Sequence, residues 1–145
     1  MVRKKSKEGD ASKSKIVVAI GKRKTAVARA KIEPGRGIVR INKKLLDVYE
    51  PEILRLKIIE PLILADRIAK QVNITVNVHG GGITGQADAA RTAIARALVE
   101  YSGSEALRKI FKEYDRTLLA GDSRQVEPKK QGGPKARARF QTSYR

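Results

Sequence analysis

The charge of this chain is segregated along its length, and that limits where a folded core can form. The net charge is +17, yet residues 45–120 carry ten Lys/Arg and ten Asp/Glu and sum to zero. Residues 1–15 hold six basic against two acidic residues, 16–44 nine against one, and 121–145 seven against two. Unpaired cations are not buried, so the basic side chains concentrated at both ends are expected to face outward, where a polyanion can meet them. Each Lys or Arg placed on a phosphate releases condensed counterions, so this distribution favours nucleic acid over an anionic membrane surface.

The 145 residues suffice for one domain with a modest core. Hydrophobic residues make up 41%, aromatic residues only 4% and charged residues 32%, so an aliphatic core under a heavily charged surface is expected. The absence of cysteine excludes disulfides and thiolate metal sites, and one histidine excludes multi-histidine metal sites. No metal or other cofactor is expected. No apolar run is long enough to span a membrane, and the basic opening from Met1 to Lys15 is not followed by a signal-peptide segment, so a cytoplasmic protein is expected.

Along the chain, residues 1–15 are polar and read as a disordered basic arm. Ile16 to Ile20 is a β-branched run, and Thr25 to Ile32 alternates Ala26, Ala28, Ala30 and Ile32 with Val27, Arg29 and Lys31, so both read as strands. Turn chemistry at Glu33-Pro34-Gly35-Arg36-Gly37 followed by extended Ile38 to Ile41 predicts a hairpin with a basic tip. After an Asn42-Lys43-Lys44 turn, a short helix is expected over Leu45 to Tyr49. A longer one runs from Pro51 to about Asp66, with Ile53, Leu56, Ile59, Ile63 and Leu64 as its apolar stripe and a kink at Pro61. Val72 to His79 is the cleanest strand, with Val72, Ile74, Val76 and Val78 on one face and Asn73, Thr75, Asn77 and His79 on the other.

Gly80-Gly81-Gly82 then opens a long helix to about Tyr101, with the stripe Ile83, Ala87, Ala90, Ile94, Ala97 or Leu98, and Tyr101. Its six alanines between 87 and 97 permit close packing, and Arg91 and Arg96 are expected on its exposed face. A shorter helix through Leu107, Ile110, Phe111 and Tyr114 ends the body near Ala120. Three segments result: an arm over 1–15, a globular body over 16–120 and a basic tail over 121–145.

Gly21-Lys22-Arg23-Lys24-Thr25 lacks the glycine and hydroxyl positions of a phosphate-binding P-loop, since Ile16 and Arg23 stand there. It reads as a charged loop between strands, suited to RNA phosphate. The triple glycine admits two readings, a phosphate approach at a helix N-terminus or a tight turn needing positive φ. His79 has no Ser, Cys or carboxylate partner in sequence and reads as structural, so no catalytic constellation emerges. In the tail, Lys129, Lys130, Lys135, Arg137, Arg139 and Arg145 are interleaved with Gly, Ala and Gln, which lets cations approach phosphates closely. Phe140 and Tyr144 could stack on unpaired bases. The expected rRNA contacts are Lys22, Arg23, Lys24, Arg36, Lys43, Lys44, Lys129, Lys130, Lys135, Arg137 and Arg139.

Gly21 to Ala30, Glu60 to Leu64, Gly80-Gly-Gly, Gly85 to Arg91 and the ending Ser143-Tyr144-Arg145, taken in order, closely resemble the universal ninth protein of the small ribosomal subunit. The match covers nearly all of residues 16–145. Tyr144 before the final Arg145 resembles the archaeal and eukaryotic branch, because the bacterial pattern has Lys there, and the lack of an organellar presequence favours an archaeal source. The resemblance implies an α/β (α+β) two-layer body, a four-stranded sheet with helices on one side like the second domain of the fifth small-subunit protein. It implies a structural, non-enzymatic constituent of the subunit head that binds rRNA beside neighbouring ribosomal proteins. It also implies a tail reaching the peptidyl-site tRNA, with Arg145 on anticodon stem-loop phosphate and Tyr144 and Arg139 in support. Fully extended, the 25 tail residues span roughly 80–90 Å.

Two other readings differ in what they require. A phosphotransferase sharing the resembling fold would bind nucleotide at Gly80 to Gly82 and use Asp88 as its nearby acid, leaving the basic ends unexplained. A free-standing RNA chaperone would stay soluble instead of sedimenting with subunits.

Overall fold

The structure, a computed structural model, describes residues 16–144. The arm at 1–15 and the terminal Arg145 lie outside the described residues. The alternation read from the sequence becomes two antiparallel strands, β1 (Val17–Arg23) and β2 (Ala26–Pro34), in a register from Val17↔Ile32 to Arg23↔Ala26. Ala26, Ala28, Ala30 and Ile32 are buried, while Arg29 and Lys31 face outward.

The chain continues through β3 (Val39–Ile41) and β4 (Lys44–Leu45), a single 3-10 turn (Leu46–Val48), α1 (Glu52–Leu64) and α2 (Asp66–Ala69) to β5 (Val72–His79). The sheet order is β1-β2-β5-β3-β4, with β5 antiparallel to β2 and parallel to β3. The sheet therefore has five strands instead of the expected four, the extra one being the two-residue β4.

The hairpin expected across Glu33 to Gly37 does not form, because β5 is inserted between β2 and β3. The turn instead caps the start of β5. Gly35 and Gly37 donate their N–H groups to the carbonyls of Gln71 and Val72, each at 3.0 Å, and the Asn73 side-chain oxygen accepts from the N–H groups of Arg36 and Ile38.

The remaining elements are α3 (Ile83–Ser102), α4 (Glu105–Tyr114) and α5 (Thr117–Ala120). Helix α3 lies across β1, β2 and β5, with α1 and α5 packed against it. Gly103, at φ 62, ends α3, and the Ser104 hydroxyl accepts the Leu107 N–H to start α4. The α3 alanines at 87, 89, 90, 93, 95 and 97 are fully buried. A Cβ on Gly21 would collide with the Ala89 carbonyl oxygen and lie 2.6 Å from Ala93 N, so β1 and α3 approach to backbone distance.

The stripe expected on α1 is turned. Of its members, Ile53, Leu56 and Ile63 are exposed while Ile59 and Leu64 are half-buried against the core, and the fully covered side is Leu54, Ile58 and Pro61, continued by Ala65. Both sets recur at helical spacing, because this helix is apolar on nearly every side, so periodicity alone does not choose between them. Ile83, expected in the α3 stripe, is 64% exposed at the first residue of the helix. The core also holds Phe111, Leu118, Ile94 and Leu98, each burial being worth about 1.5–3 kcal/mol.

Candidate nucleic-acid interface

Three basic residues converge at the β1–β2 turn. Lys22 and Lys24 are exposed, and Lys24 holds φ 52 in a two-residue turn with Thr25. Arg23, expected with them as an RNA contact, points the other way, with only 16% of its side chain exposed. Its Nη2 lies 3.0 Å from Asp122 Oδ2, its Nη1 donates to the Arg124 carbonyl at 3.0 Å, and its Nε lies 3.9 Å from Asp88 Oδ2. Its guanidinium is occupied in joining the body to the first residues of the tail.

The glycine turn beside it takes the conformational role. Gly80 and Gly81 have φ 74 and 65, and a Cβ on Gly80 would lie 2.6 Å from the Thr25 carbonyl oxygen. Asp88, the acid a phosphotransferase would need, is paired with Lys57 Nζ at 3.3 Å as well as facing Arg23. His79 is exposed at the strand end.

A second basic turn joins β3 to β4. Asn42 and Lys43 both have positive φ, 46 and 72, the pattern of a tight primed hairpin turn. The Asn42 carboxamide continues the ladder. Its Oδ1 accepts the Val78 N–H at 2.8 Å and its Nδ2 donates to the Val78 carbonyl at 3.1 Å. This leaves Lys43 and Lys44 exposed at the turn, and Arg36 is exposed on the loop that caps β5.

Arg91 and Arg96, expected on the open face of α3, are instead internal braces. Arg91 Nη2 lies 2.6 Å from Glu60 Oε2 and 2.9 Å from Asp115 Oδ2, tying α3 to α1 and to the end of α4. Arg96 donates to three carbonyls: Leu119 through Nε at 2.8 Å, Ile20 through Nη1 at 2.7 Å and Ala120 through Nη2 at 3.1 Å. It thus closes the C-terminal end of α5 against β1. Burial alone would raise the Asp115 carboxyl, but hydrogen bonds from the Thr117 hydroxyl and N–H, together with Arg91, hold it below the ordinary carboxylate value.

Residues 121–144 contain no named helix or strand. Asp122 forms an isolated bridge with Arg23 and accepts from the Arg124 side chain and N–H, so its carboxyl is held far below the ordinary range by Arg124 first and Arg23 second. Arg137 makes a two-pronged bond to Glu127, Nε to Oε2 at 2.9 Å and Nη2 to Oε1 at 2.7 Å. Lys129, Lys130, Lys135 and Arg139 are exposed with no ion pair among the described residues, and Phe140 and Tyr144 are exposed as well. Arg145, expected at the tRNA, lies outside the described residues.

The sheet adds cations that the sequence reading did not select. Arg29 and Lys31 on β2 and Arg40 on β3 are exposed on the side of the sheet opposite α3. The signal was present in the alternation of Thr25 to Ile32, which already set Arg29 and Lys31 opposite the buried alanines.

Comparison with known proteins adds a separate line. The family profile described as "Ribosomal protein S9/S16" matches residues 21–145. The chain is 55% identical over 133 residues to the small ribosomal subunit protein uS9 of Desulfurococcus amylolyticus, covering 92% of this chain and 95% of the relative. It is 54% identical to uS9 of Thermoplasma acidophilum, covering 89% and 100% of the two chains, and 56% identical to that of Halobacterium salinarum, covering 86% and 96%. All three relatives are archaeal.

Proposed function

Because this chain belongs to the ribosomal protein S9/S16 family, non-enzymatic structural constituents of the small ribosomal subunit, we propose that it binds rRNA through its basic turns and C-terminal tail. The observation that carries this reading is the division of labour among its cations. Arg91 and Arg96 are consumed by internal carboxylates and carbonyls, whereas Lys22, Lys24, Arg36, Lys43, Lys44, Lys129, Lys130, Lys135 and Arg139 are exposed and unpaired among the described residues. Unpaired surface cations gain most from meeting phosphates. Arg23 contributes at one remove, by fixing where the tail leaves the body, and Arg137 exchanges Glu127 for phosphate when RNA binds. The protein works in the cytoplasm within the subunit head, among neighbouring ribosomal proteins.

The tail carries the finer part of the proposal. Arg145 meets the phosphate of the peptidyl-site tRNA anticodon stem-loop, with Tyr144 and Arg139 supporting the tail end. The test is tRNA affinity of purified small subunits carrying wild-type protein, a deletion of 143–145 or Arg145→Glu, at matched salt. Incorporation into subunits, read by co-sedimentation in sucrose, is expected to persist in all three. The deletion weakens tRNA binding, and Arg145→Glu weakens it more through like-charge repulsion. Equal affinities would remove the tRNA contact while leaving rRNA binding in place, and failure of the wild-type protein to co-sediment would remove both.

A further inference from the structure

We propose that the uncovered face of the sheet, centred on Arg29, Lys31 and Arg40, is a second RNA surface that holds the phosphate–ribose backbone of structured RNA. The inference rests on the rRNA-binding reading above and extends it from turns and tail to the body's broad face.

Strand register brings the cations together. Arg29 lies opposite Asn77, while Lys31 and Arg40 both pair with Thr75, so one hydroxyl sits between two cations across three strands. Lys31 and Arg40 are then separated by two strand spacings, roughly 10 Å, and on β1 the same face carries exposed Ile20 and Val18, opposite Arg29 and Lys31, with Lys22 beyond them. Among the described strand residues, Glu33 is the one carboxylate on this face, 2.9 Å from Lys31 Nζ. Arg29 and Arg40 have no ion pair among the described residues. On the helix side, Arg91 and Lys57 are matched to Glu60, Asp115 and Asp88, and the exposed Arg67, Lys109 and Lys112 lie on separate turns of α2 and α4.

The neighbouring groups define the ligand class. Asn77, Thr75 and His79 offer hydrogen bonds to ribose hydroxyls and phosphate oxygens. No Phe, Tyr or Trp occurs in any of the five strands, so the face lacks the stacking platforms with which sheets bind splayed single-stranded bases. The chain's own N-terminal arm is excluded as occupant by charge, since residues 1–15 are themselves net positive. A polyanion with a regular backbone fits, and the small-subunit rRNA is the polyanion the family supplies.

The experiment uses the full chain and a small-subunit rRNA transcript, with affinity measured across a salt series. The triple variant Arg29→Gln, Lys31→Gln, Arg40→Gln removes the face. A charge-matched control, Arg67→Gln, Lys109→Gln, Lys112→Gln, removes three exposed cations from the helix side. Each phosphate contact contributes about 0.9 to the slope of log affinity against log salt, so the sheet variant is expected to flatten the slope by about 2–3 and the control to leave it nearly unchanged. Circular dichroism and thermal melting verify that both remain folded. If wild-type protein binds and the sheet variant matches it in affinity and slope, the proposal fails while rRNA binding stands. If wild type shows no salt-dependent binding, the underlying RNA reading fails. Crosslinking from position 31 in assembled subunits gives rRNA adducts if the proposal holds, and exclusively protein adducts would overturn it in favour of a protein neighbour.

Discussion

Arg23 holds Asp122 at 3.0 Å, tying the end of the first strand to the beginning of the tail. The same guanidinium reaches the Arg124 carbonyl, so the tail starts from a fixed point between the basic β1–β2 turn and α3. Asp122→Asn is expected to leave the body folded but to loosen that anchor. Amide exchange should quicken at Arg124, whose N–H donates to Asp122 Oδ1, while Val72 to Val78 stay protected. Unchanged exchange at Arg124 would show that Asp122 does not order the tail's first turn.

The acid sensitivity of the fold has a definite sign. Asp115 and Asp122 both have carboxyls depressed in the folded protein. A depressed carboxylate binds its proton less readily when folded, so its stabilisation is complete above the unfolded value and is lost as pH falls through the folded one. Stability should therefore decline below about pH 4, the ordinary aspartate range. Denaturant midpoints taken between pH 6 and pH 2 check this, and Asp115→Asn should flatten the decline. An identical pH profile for wild type and Asp115→Asn would defeat the assignment.

Arg96→Met is expected to cost about 1–3 kcal/mol, because three carbonyls lose a charged donor. Arg29→Met, on the open sheet face, should stay within about 0.5 kcal/mol of wild type. Urea unfolding of the two variants separates a brace from a surface cation. Equal costs would mean that the three carbonyl bonds contribute nothing.

Two glycines of the same turn should respond oppositely to the same substitution. Gly80→Ser forces a side chain onto φ 74 and towards the Thr25 carbonyl, with an expected loss of about 1–3 kcal/mol. Gly82 is the N-cap of α3, with extended backbone, no side-chain cap bond and open space around its Cβ position. Gly82→Ser should stabilise by about 0.5 kcal/mol through a new cap. Melting temperatures of the pair provide the check, and a shared sign would refute the distinction.

What could be read from the sequence followed the strength of each local pattern. Val72 to His79 alternates without interruption, and its bounds and both faces are as the alternation indicates. The Asn42-Lys43 turn was legible because its chemistry is local. The insertion of β5 between β2 and β3 was not, since the pairing partner of a strand lies far away in sequence and turn residues permit more than one continuation. Arg91 and Arg96 were misplaced for a related reason. A cation on a helix signals solvent unless its acceptors are known, and here those acceptors come from α1, α5 and β1. The cations at the turns were legible as exposed, whereas Arg23 was not, because Asp122 and Asp88 meet it only in the folded chain.

The alanine layer of α3 makes mutational damage to this protein one-directional. Side chains reduced to a methyl group have almost nothing left to lose, so voids are a minor hazard at positions 87, 89, 90, 93, 95 and 97. Around Ala89 and Ala93, where Gly21 meets the helix backbone, an added carbon must be accommodated by moving β1 away from the helix, and β1 ends in the adjacent pair Lys22, which is exposed, and Arg23, which links it to the tail. Drift towards larger residues in the middle of the protein would thus register as misplaced cations at its periphery, so the spacing of the exposed charges is kept by residues that lie in the core.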